Sequence, residues 1–221
     1  MPMHMPPLPM LIKAIRTFGA SHASSCLLCQ QYAAQPNRSL CQHCWRDLPW
    51  LLQLTPATGR IIAHPVQAAC HYRWPVDRLI HRYKYQQRLD LLPVLRDILL
   101  HLPKPQVQAL VAVPSAPERL VLRGFNPALL LAQELGKAWK IPLWQPLNRH
   151  HTPPQQSLSQ AERFSNLQDA FYLNPPQCRV IYRKVLIIDD VITTGSTLAA
   201  MHRQLDSLGV QHIQSLVLAQ A

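Results

Sequence analysis

Two adjacent aspartates, Asp189 and Asp190, directly follow an apolar run at residues 185–188. Three of the four residues in that run are β-branched, which predicts a buried central strand of a parallel sheet. Neighbouring strand residues point to opposite faces, so both acids cannot lie in the core without cost, and a buried, unpaired carboxylate is strongly disfavoured. Because ligands of open parallel sheets bind beyond the carboxyl ends of the strands, the pair is our first candidate for chemistry, as acceptors for ligand hydroxyls.

A hydroxyl-rich segment leads from the aspartates into a predicted helix. Its members are Thr193, Thr194, Gly195, Ser196 and Thr197. Amides at a helix N-terminus attract anions, glycine permits close backbone approach, and hydroxyls add donors. Carboxylates beside such a phosphate cradle indicate a site for a ribose 5-phosphate. The alternative is a turn whose Thr and Ser residues cap a helix, which leaves the two carboxylates unexplained.

Four cysteines form two Cys-x-x-Cys pairs with eleven residues between them. They are Cys26, Cys29, Cys41 and Cys44. Two such pairs complete the tetrahedral thiolate shell that zinc prefers, and a closed shell predicts a structural ion that folds a segment too short for its own core. The alternatives are reduced or redox-active thiols, or His43 or His22 in place of one ligand. We expect Cys70 and Cys178 to be buried apolar residues.

Basic and aromatic residues alternate between residues 71 and 88. The candidate nucleic-acid contacts among them are Arg73, Arg78, Arg82, Tyr83, Lys84 and Arg88. Rings that stack on bases, beside cations that bind phosphates, are the ingredients of a groove for single-stranded nucleic acid. The alternative is an amphipathic helix with Tyr83 packed inward and its charges in water, and Tyr83 and Lys84 are equally suited to the ribosyl site.

Composition narrows the class of protein. The 221 residues include 22 Lys+Arg against 11 Asp+Glu, a formal net charge of +11, and 48% are hydrophobic. That apolar content can offset the entropy of ordering, so general disorder is excluded, and no apolar run approaches the roughly 18 residues of a membrane span. The first residues lack the pattern of a secretory signal, so we expect a cytoplasmic protein. The positive charge predicts an anionic partner.

Strand and helix signals alternate from about residue 67. We predict strands at 68–74, 109–113, 141–147, 170–173, 185–188 and 210–218. We predict helices at 77–102 (split at Pro93), at 127–139 with Asn126 as N-cap, and at 197–208, ended by Gly209. Such alternation is typical of a mainly parallel sheet covered by helices. The predicted organisation is a leader at 1–20, a zinc ribbon at 21–50, a linker at 51–66 and a main domain at 67–221.

Residues 185–198 resemble the phosphoribosyl pyrophosphate motif of type I phosphoribosyltransferases at nearly every position. In that family the acids hold the ribose hydroxyls and the loop binds the 5-phosphate. The resemblance gives these roles to Asp189 and Asp190 and to residues 193–197. It implies an open parallel sheet flanked by helices, with a small hood, and magnesium that accompanies the diphosphate.

A narrower resemblance, to the ComF/GntX family of competence and DNA-utilisation proteins, covers nearly the whole chain from Cys26. Its markers are the four cysteines and residues 80–84, 113–114, 119, 123–126, 152–158, 162–163, 166–167 and 170–171. The resemblance implies a diphosphate-binding loop that begins at Ser115 and includes Arg119 and Arg123, whose guanidiniums suit bidentate contacts. It also implies that residues 150–167 close over the substrate, with Gln156 and Arg163 as contacts for the diphosphate.

The resemblance leaves two functions open. One is a phosphoribosyltransferase that uses phosphoribosyl pyrophosphate and magnesium, with an unidentified acceptor. The other is a non-catalytic adaptor for single-stranded DNA with a regulatory or vestigial phosphoribosyl site. A further hypothesis makes the zinc ribbon a docking surface for a DNA-uptake helicase. We expect a phosphoribosyltransferase-like protein that acts in uptake or utilisation of extracellular DNA.

Overall fold

The structure is a computed structural model that describes residues 25–51, 65–150 and 170–221. Three predictions lie outside these residues: the leader at 1–20, most of the linker at 51–66, and the closing loop with Gln156 and Arg163. These three stay predictions.

The described residues alternate between strands and helices in the predicted order. The strands are β1 (Val66–His71), β2 (Ala109–Ala112), β3 (Leu147–Arg149), β4 (Phe171–Leu173), β5 (Lys184–Ile192) and β6 (His212–Gln220). The α-helices are α1 (Gln42–Arg46), α2 (Val76–Tyr85), α3 (Leu92–Leu100), α4 (Pro117–Arg123), α5 (Pro127–Trp139) and α6 (Ser196–Ser207). Within the described ranges, no helix is both long and apolar enough to cross a membrane.

Four strands form one parallel sheet in the order β1-β6-β5-β2. The register places Val185 of β5 beside Ala109 of β2 and Ile213 of β6, so the strands present their carboxyl ends at one edge. The central strands are buried, as their apolar composition predicts, and helices α3, α5 and α6 pack against the sheet. The predicted fold class, an open parallel sheet flanked by helices, is confirmed.

A second, two-stranded sheet pairs β3 with β4 in antiparallel fashion. The sequence predicts a strand at 141–147, but the strand begins at Leu147. Pro142 and Pro146 lack the amide hydrogen that a ladder requires, and Leu143 makes only an isolated bridge to Leu110 of β2.

The helical stripe predicted at 77–102 forms two helices, but the break lies ahead of Pro93. Helix α2 ends at Tyr85, Gln87 adopts a φ of 53°, and Pro93 lies in the first turn of α3. Proline is tolerated there because the first amides of a helix have no intrahelical acceptor. The helix at 127–139 is confirmed, with the Asn126 side chain accepting hydrogen bonds from the amides of the first turn.

The cysteine-rich module packs directly on the main sheet. The backbone amide of Leu51 donates to Ala69 O at 2.9 Å, so the end of the module extends along the edge strand β1. The amide and the hydroxyl of Ser39 both donate to Asp97 of α3, at 2.9 and 3.1 Å. Arg96 donates to the other oxygen of that buried carboxylate at 2.7 Å, which leaves Asp97 fully paired.

Candidate functional site

A cavity of about 360 Å³ opens where β2 and β5 end. It is lined by most of the residues that the sequence assigns to a phosphoribosyl site: Ser115, Arg119, Arg123, Asp189, Asp190, Thr193, Ser196 and Thr197. Lys84, Tyr85 and Arg149 also line it. Segments far apart in sequence therefore meet at the sheet edge where parallel sheets bind ligands.

Asp189 and Asp190 lie within β5, which continues to Ile192, although the sequence predicts a strand that stops at residue 188. The neighbouring strand β6 continues beside it and pairs Ile192 with Gln220, which keeps the acids extended. Alternation gives the two side chains different surroundings: Asp190 is 6% exposed, whereas Asp189 is partly buried. Asp189 Oδ1 accepts a hydrogen bond from the amide of Asp190 at 2.9 Å.

The electrostatics of the pair centre on Asp189. Burial, and after it the negative charge of Asp190, raise the pKa of Asp189 to about 7. The ammonium of Lys84 and the amide of Asp190 act in the opposite direction. Asp189 therefore changes charge near neutral pH, and a hydroxyl donor or a cation in the cavity would favour its ionised form.

Lys84 forms an ion pair with the second acid. Its Nζ lies 2.7 Å from Asp190 Oδ1, and the two side chains are 18% and 8% exposed. Lys84 is on the last turn of α2, so this contact joins the basic helix to the central strand. The sequence left Lys84 between a nucleic-acid groove and the ribosyl site, and the structure places it in the lining of the cavity at the ends of β2 and β5.

The hydroxyl-rich segment forms the turn from β5 into α6, as the sequence predicts. Gly195 has a φ of 82°, a left-handed conformation that side chains disfavour, so the turn requires glycine. Thr194 Oγ1 lies 3.0 Å from Ser196 Oγ and shapes the turn. Thr193, Ser196 and Thr197 line the cavity. The N-terminus of α6 thus borders the cavity, where its dipole and amides favour anions.

Arg119 and Arg123 lie on helix α4, although the sequence predicts a loop around them. Pro117 begins this helix, and Gly124, with a φ of 79°, ends it. Both guanidiniums line the cavity, and Arg123 lies over the Tyr85 ring with its Cζ 5.1 Å from the ring centroid. A helix fixes their spacing more firmly than a loop, which suits them to orient an anion.

Arg149, at the end of β3, is a cavity residue that the sequence analysis missed. Burial lowers the pKa of Arg149, and the nearby guanidinium of Arg119 lowers it further, while Asp189 opposes the shift. Its buried Nε has no hydrogen-bond partner among the described residues. The signal that would have found it is its position immediately before the loop that resembles a substrate lid, at the end of a strand.

The remaining nucleic-acid candidates lie on α2 or beside its two ends, and they differ in exposure. Tyr83 is fully buried, and its hydroxyl donates to Pro127 O at 3.2 Å, so its ring is not available to stack on a base. This packing corresponds to the alternative interpretation of that residue. The exposed candidates are Arg73, Arg78, Arg82 and Arg88. The Arg88 guanidinium donates two hydrogen bonds, of 2.8 and 2.7 Å, to the carboxylate of Asp90.

The four predicted zinc ligands converge. The Sγ atoms of Cys26, Cys29, Cys41 and Cys44 all lie within 4.8 Å of one another. A tetrahedral ion with bonds near 2.3 Å requires sulfur atoms about 3.8 Å apart. The Sγ atoms of Cys29 and Cys41 are 3.8 Å apart. The cluster can therefore hold a zinc ion, and His43 is not among the converging ligands.

The thiols of this cluster differ in acidity. Burial would raise the pKa of Cys26, but backbone amides of Cys29, Cys41 and Leu28 outweigh it and bring that pKa down to about 6. Burial and the neighbouring thiols raise the pKa of Cys44. Four clustered thiolates repel one another, so full deprotonation requires a cation. Cys70 is buried, as predicted, whereas Cys178 is only partly buried.

A family model of the phosphoribosyl transferase domain matches residues 124–221. Among solved structures, the glutamine phosphoribosylpyrophosphate amidotransferase from B. subtilis aligns over 62% of this chain and 30% of its own, with 18% identity and a TM-score of 0.43. The purine phosphoribosyltransferase from Pyrococcus horikoshii aligns over 70% of this chain and 77% of its own, with 18% identity and a TM-score of 0.31.

Sequence relatives extend over most of the chain. Competence protein F of Haemophilus influenzae is 33% identical in an alignment of 202 residues that covers 82% of this chain and 84% of that protein. The DNA utilization protein YhgH of Salmonella typhi is 30% identical in an alignment of 220 residues that covers 86% of this chain and 93% of that protein. The chain therefore belongs to the ComF family of competence and DNA utilization proteins, with a type I phosphoribosyltransferase domain.

Proposed function

We propose that the protein binds phosphoribosyl pyrophosphate, with magnesium, in the cavity at the ends of β2 and β5. The observation that carries this proposal is the charge arrangement of the cavity. Four cationic side chains and two carboxylates line it: Lys84, Arg119, Arg123, Arg149, Asp189 and Asp190. With all six ionised, the cavity lining has more positive than negative charge. Its two adjacent carboxylates are available to accept hydrogen bonds.

The parts of such a ligand match different parts of the lining. The acid pair accepts hydrogen bonds from ribose hydroxyls, and the turn at residues 193–197 donates to the 5-phosphate. Arg119, Arg123 and Arg149 surround the space left for the diphosphate, and their planar guanidiniums can bind phosphate oxygens in pairs. Arg149 in particular brings a buried donor without a partner, which an anion would satisfy.

Magnesium, when bound with the diphosphate, would neutralise its charge and orient its oxygens. Asp189 is the protein carboxylate suited to approach it, because Asp190 is engaged by Lys84. In a transfer reaction the ribose C1 becomes positively charged as diphosphate departs. The cationic side chains then stabilise the departing diphosphate, and the partly buried carboxylate of Asp189 favours the developing positive charge. The acceptor remains unassigned in this proposal.

Calorimetry with phosphoribosyl pyrophosphate tests the proposal. We expect magnesium-dependent binding that weakens at least tenfold in the Asp189→Asn, Asp190→Asn double variant. Asp77→Asn is the matched control, since Asp77 lies on α2 outside the cavity lining. Binding that is absent in the natural protein, or unchanged in the double variant, contradicts the proposal.

A second candidate function is direct binding of single-stranded DNA on the outer face of α2. Trp74 and Tyr85 are 70% and 62% exposed at the two ends of this helix, with Arg78 and Arg82 exposed between them. The span is about 15 Å at 1.5 Å per helical residue, enough for a few nucleotides. Stacking rings beside cations fit a single strand without sequence preference. Tyr83 and Lys84 are not part of this proposed surface.

Salt dependence tests this second function. Binding of a fluorescent oligonucleotide should weaken steeply between 50 and 200 mM salt, because phosphate contacts release counterions. The double change Arg78→Gln, Arg82→Gln should reduce the slope. Binding that is absent at moderate salt, or insensitive to it, counts against a direct DNA partner.

We also propose that the cysteine cluster holds a structural zinc ion and that the protein acts in the cytoplasm in DNA uptake or utilisation. The names of its relatives, competence protein F and DNA utilization protein, support that role. A helicase that docks on the zinc module is the partner hypothesis that remains. Pull-down of an uptake helicase should be lost when residues 26–44 are deleted and retained in the Asp189→Asn variant. Retention after the deletion contradicts this docking role.

A further inference from the structure

The two aspartates of the cavity are not equivalent, because only one has a cation of the protein in contact. Lys84 Nζ is 2.7 Å from Asp190 Oδ1, and both side chains are largely shielded from water. Asp189 has no such cation at contact distance in the described residues, and its Oδ1 accepts a hydrogen bond from the amide of Asp190. The acid pair therefore presents one neutralised and one available carboxylate to the cavity.

This asymmetry is built into the fold rather than adapted to a ligand. Lys84 extends from the end of α2, whose position is fixed by the burial of Val76, Leu79, Ile80 and Tyr83. Asp190 is fixed in the β5–β6 ladder. In a shielded site, removing one partner leaves an uncompensated charge, so the contact persists unless another cation replaces it.

We propose that Lys84 is the built-in cation of this site: it neutralises Asp190, leaves Asp189 to accept ligand hydroxyls, and occupies the place beside Asp190 that a divalent cation would otherwise take. Lys84 is thus a positioning residue that acts through Asp190. The ligand part of this inference rests on the proposed function, whereas the cation part does not. Magnesium that accompanies a diphosphate would be held mainly by the diphosphate, and Asp189 is the carboxylate of the pair that is left to approach it.

The first experiment uses manganese alone, as a probe of the acid pair in the zinc-loaded protein. Electron paramagnetic resonance should detect little Mn²⁺ binding to the natural protein. The Lys84→Met variant removes the ammonium and keeps most of the side-chain volume, so it should bind Mn²⁺ at least tenfold more tightly between two adjacent carboxylates. That gain should disappear in Lys84→Met, Asp190→Asn, and Lys84→Arg should behave as the natural protein.

The second experiment uses ribose 5-phosphate, which has no diphosphate to bring its own metal. Calorimetry of the natural protein should give the same affinity with and without added Mg²⁺. The Lys84→Met variant should lose at least tenfold in affinity without Mg²⁺ and recover most of it when Mg²⁺ replaces the ammonium. A purely structural role for Lys84 would lower the melting temperature without producing this rescue by a metal.

The outcomes separate the two ideas. If the natural protein binds neither ribose 5-phosphate nor phosphoribosyl pyrophosphate, the proposed function fails, and the Mn²⁺ experiment still decides the role of Lys84. No gain of Mn²⁺ binding in Lys84→Met overturns the built-in cation, as does a natural protein that requires Mg²⁺ for ribose 5-phosphate. If Lys84→Met does not fold, Asp189→Asn and Asp190→Asn decide: the first should weaken ribose 5-phosphate binding more, and an equal loss contradicts the proposal.

Discussion

The cysteine cluster and the cavity differ in where their polar groups point. The four Sγ atoms face one another within 4.8 Å, and the shell closes on itself. The acids, guanidiniums and hydroxyls at the carboxyl ends of the strands instead surround about 360 Å³ of open space. A closed shell has no position for a substrate, whereas an open one does, so the first cluster is suited to hold a structural ion and the second to bind a ligand.

Each of the two clusters also lacks a counter-charge, and the two missing charges have opposite signs. Four sulfur ligands require a cation before all can be thiolates, and Cys26 and Cys44 are shifted in opposite directions while they share protons. In the cavity, burial lowers the pKa of Arg149, and the guanidinium of Arg119 lowers it further. An anion would stabilise the charged form of Arg149. The cluster is therefore suited to a metal cation, and the cavity to an anion.

The largest effect is expected from breaking the closed cluster. Cys41→Ser removes a buried ligand, and structural zinc sites contribute about 10–16 kcal/mol of apparent binding free energy to folding. We expect loss of the zinc, measured by elemental analysis, and loss of protection at residues 25–51 in hydrogen exchange. Cys178→Ser is the control, because Cys178 lies outside the cluster and should keep one zinc per chain. Retention of zinc and protection in Cys41→Ser would show that the cluster is not a metal site.

The next effect concerns the cations of the open cavity. Arg119→Gln with Arg149→Gln should weaken phosphoribosyl pyrophosphate binding by about a hundredfold, since hydrogen bonds to charged groups are worth about 1.5–3 kcal/mol each. Calorimetry measures the change. Arg179→Gln, on an exposed short helix away from the cavity, is the matched control. If the affinity falls equally in the control, the effect comes from the change in net charge and not from contacts in the cavity.

A smaller effect concerns stability against pH. The folded pKa of Asp189 is about 7, against an ordinary value of 3.8, so the folded state holds a proton that the unfolded state has lost between these values. Stability from this group is therefore greatest at low pH and falls as pH rises toward 7. Between pH 5 and 8, the free energy of unfolding should fall by about 1–2 kcal/mol less in Asp189→Asn than in the natural protein, allowing for screening by solvent. Urea unfolding at both pH values measures it, and an unchanged slope would place Asp189 in an ordinary environment.

The smallest effect is expected on the outer face of α2. Trp74→Ala should weaken binding of a single-stranded oligonucleotide about tenfold through lost stacking, while zinc content and phosphoribosyl pyrophosphate affinity stay unchanged. Tyr32→Ala, an exposed ring in the cysteine module, is the control. Fluorescence anisotropy compares the two. Equal losses of oligonucleotide affinity in both variants would contradict a specific role of this helix face.

The sequence predicted the parts of both clusters that depend on local spacing. Cys-x-x-Cys pairs and the Thr-Thr-Gly-Ser-Thr turn carry their geometry within a few residues, and Asn126 caps its helix as expected. The sheet order, by contrast, depends on pairing between distant strands. The extension of β5 through Asp190 depends on β6 beside it, which the apolar pattern of 185–188 could not reveal.

The missed parts of the site are contacts between distant segments. Lys84 contacts Asp190, which lies more than a hundred residues away, and the charge pattern alone left Lys84 between a nucleic-acid groove and the ribosyl site. Arg149 enters the cavity from the small sheet, whose start the prolines obscured. Helix α4 was taken for a loop because its seven residues, Pro117–Arg123, are too few to show helical periodicity.

A crystal structure of the protein soaked with phosphoribosyl pyrophosphate and magnesium is the most direct test of the central claim. We predict the 5-phosphate at the amides of residues 193–197, a ribose hydroxyl about 2.5–3.0 Å from Asp189 and the diphosphate among Arg119, Arg123 and Arg149. Lys84 should remain on Asp190. A cavity that stays empty at saturating ligand, or a ligand bound away from Asp189, would contradict the account.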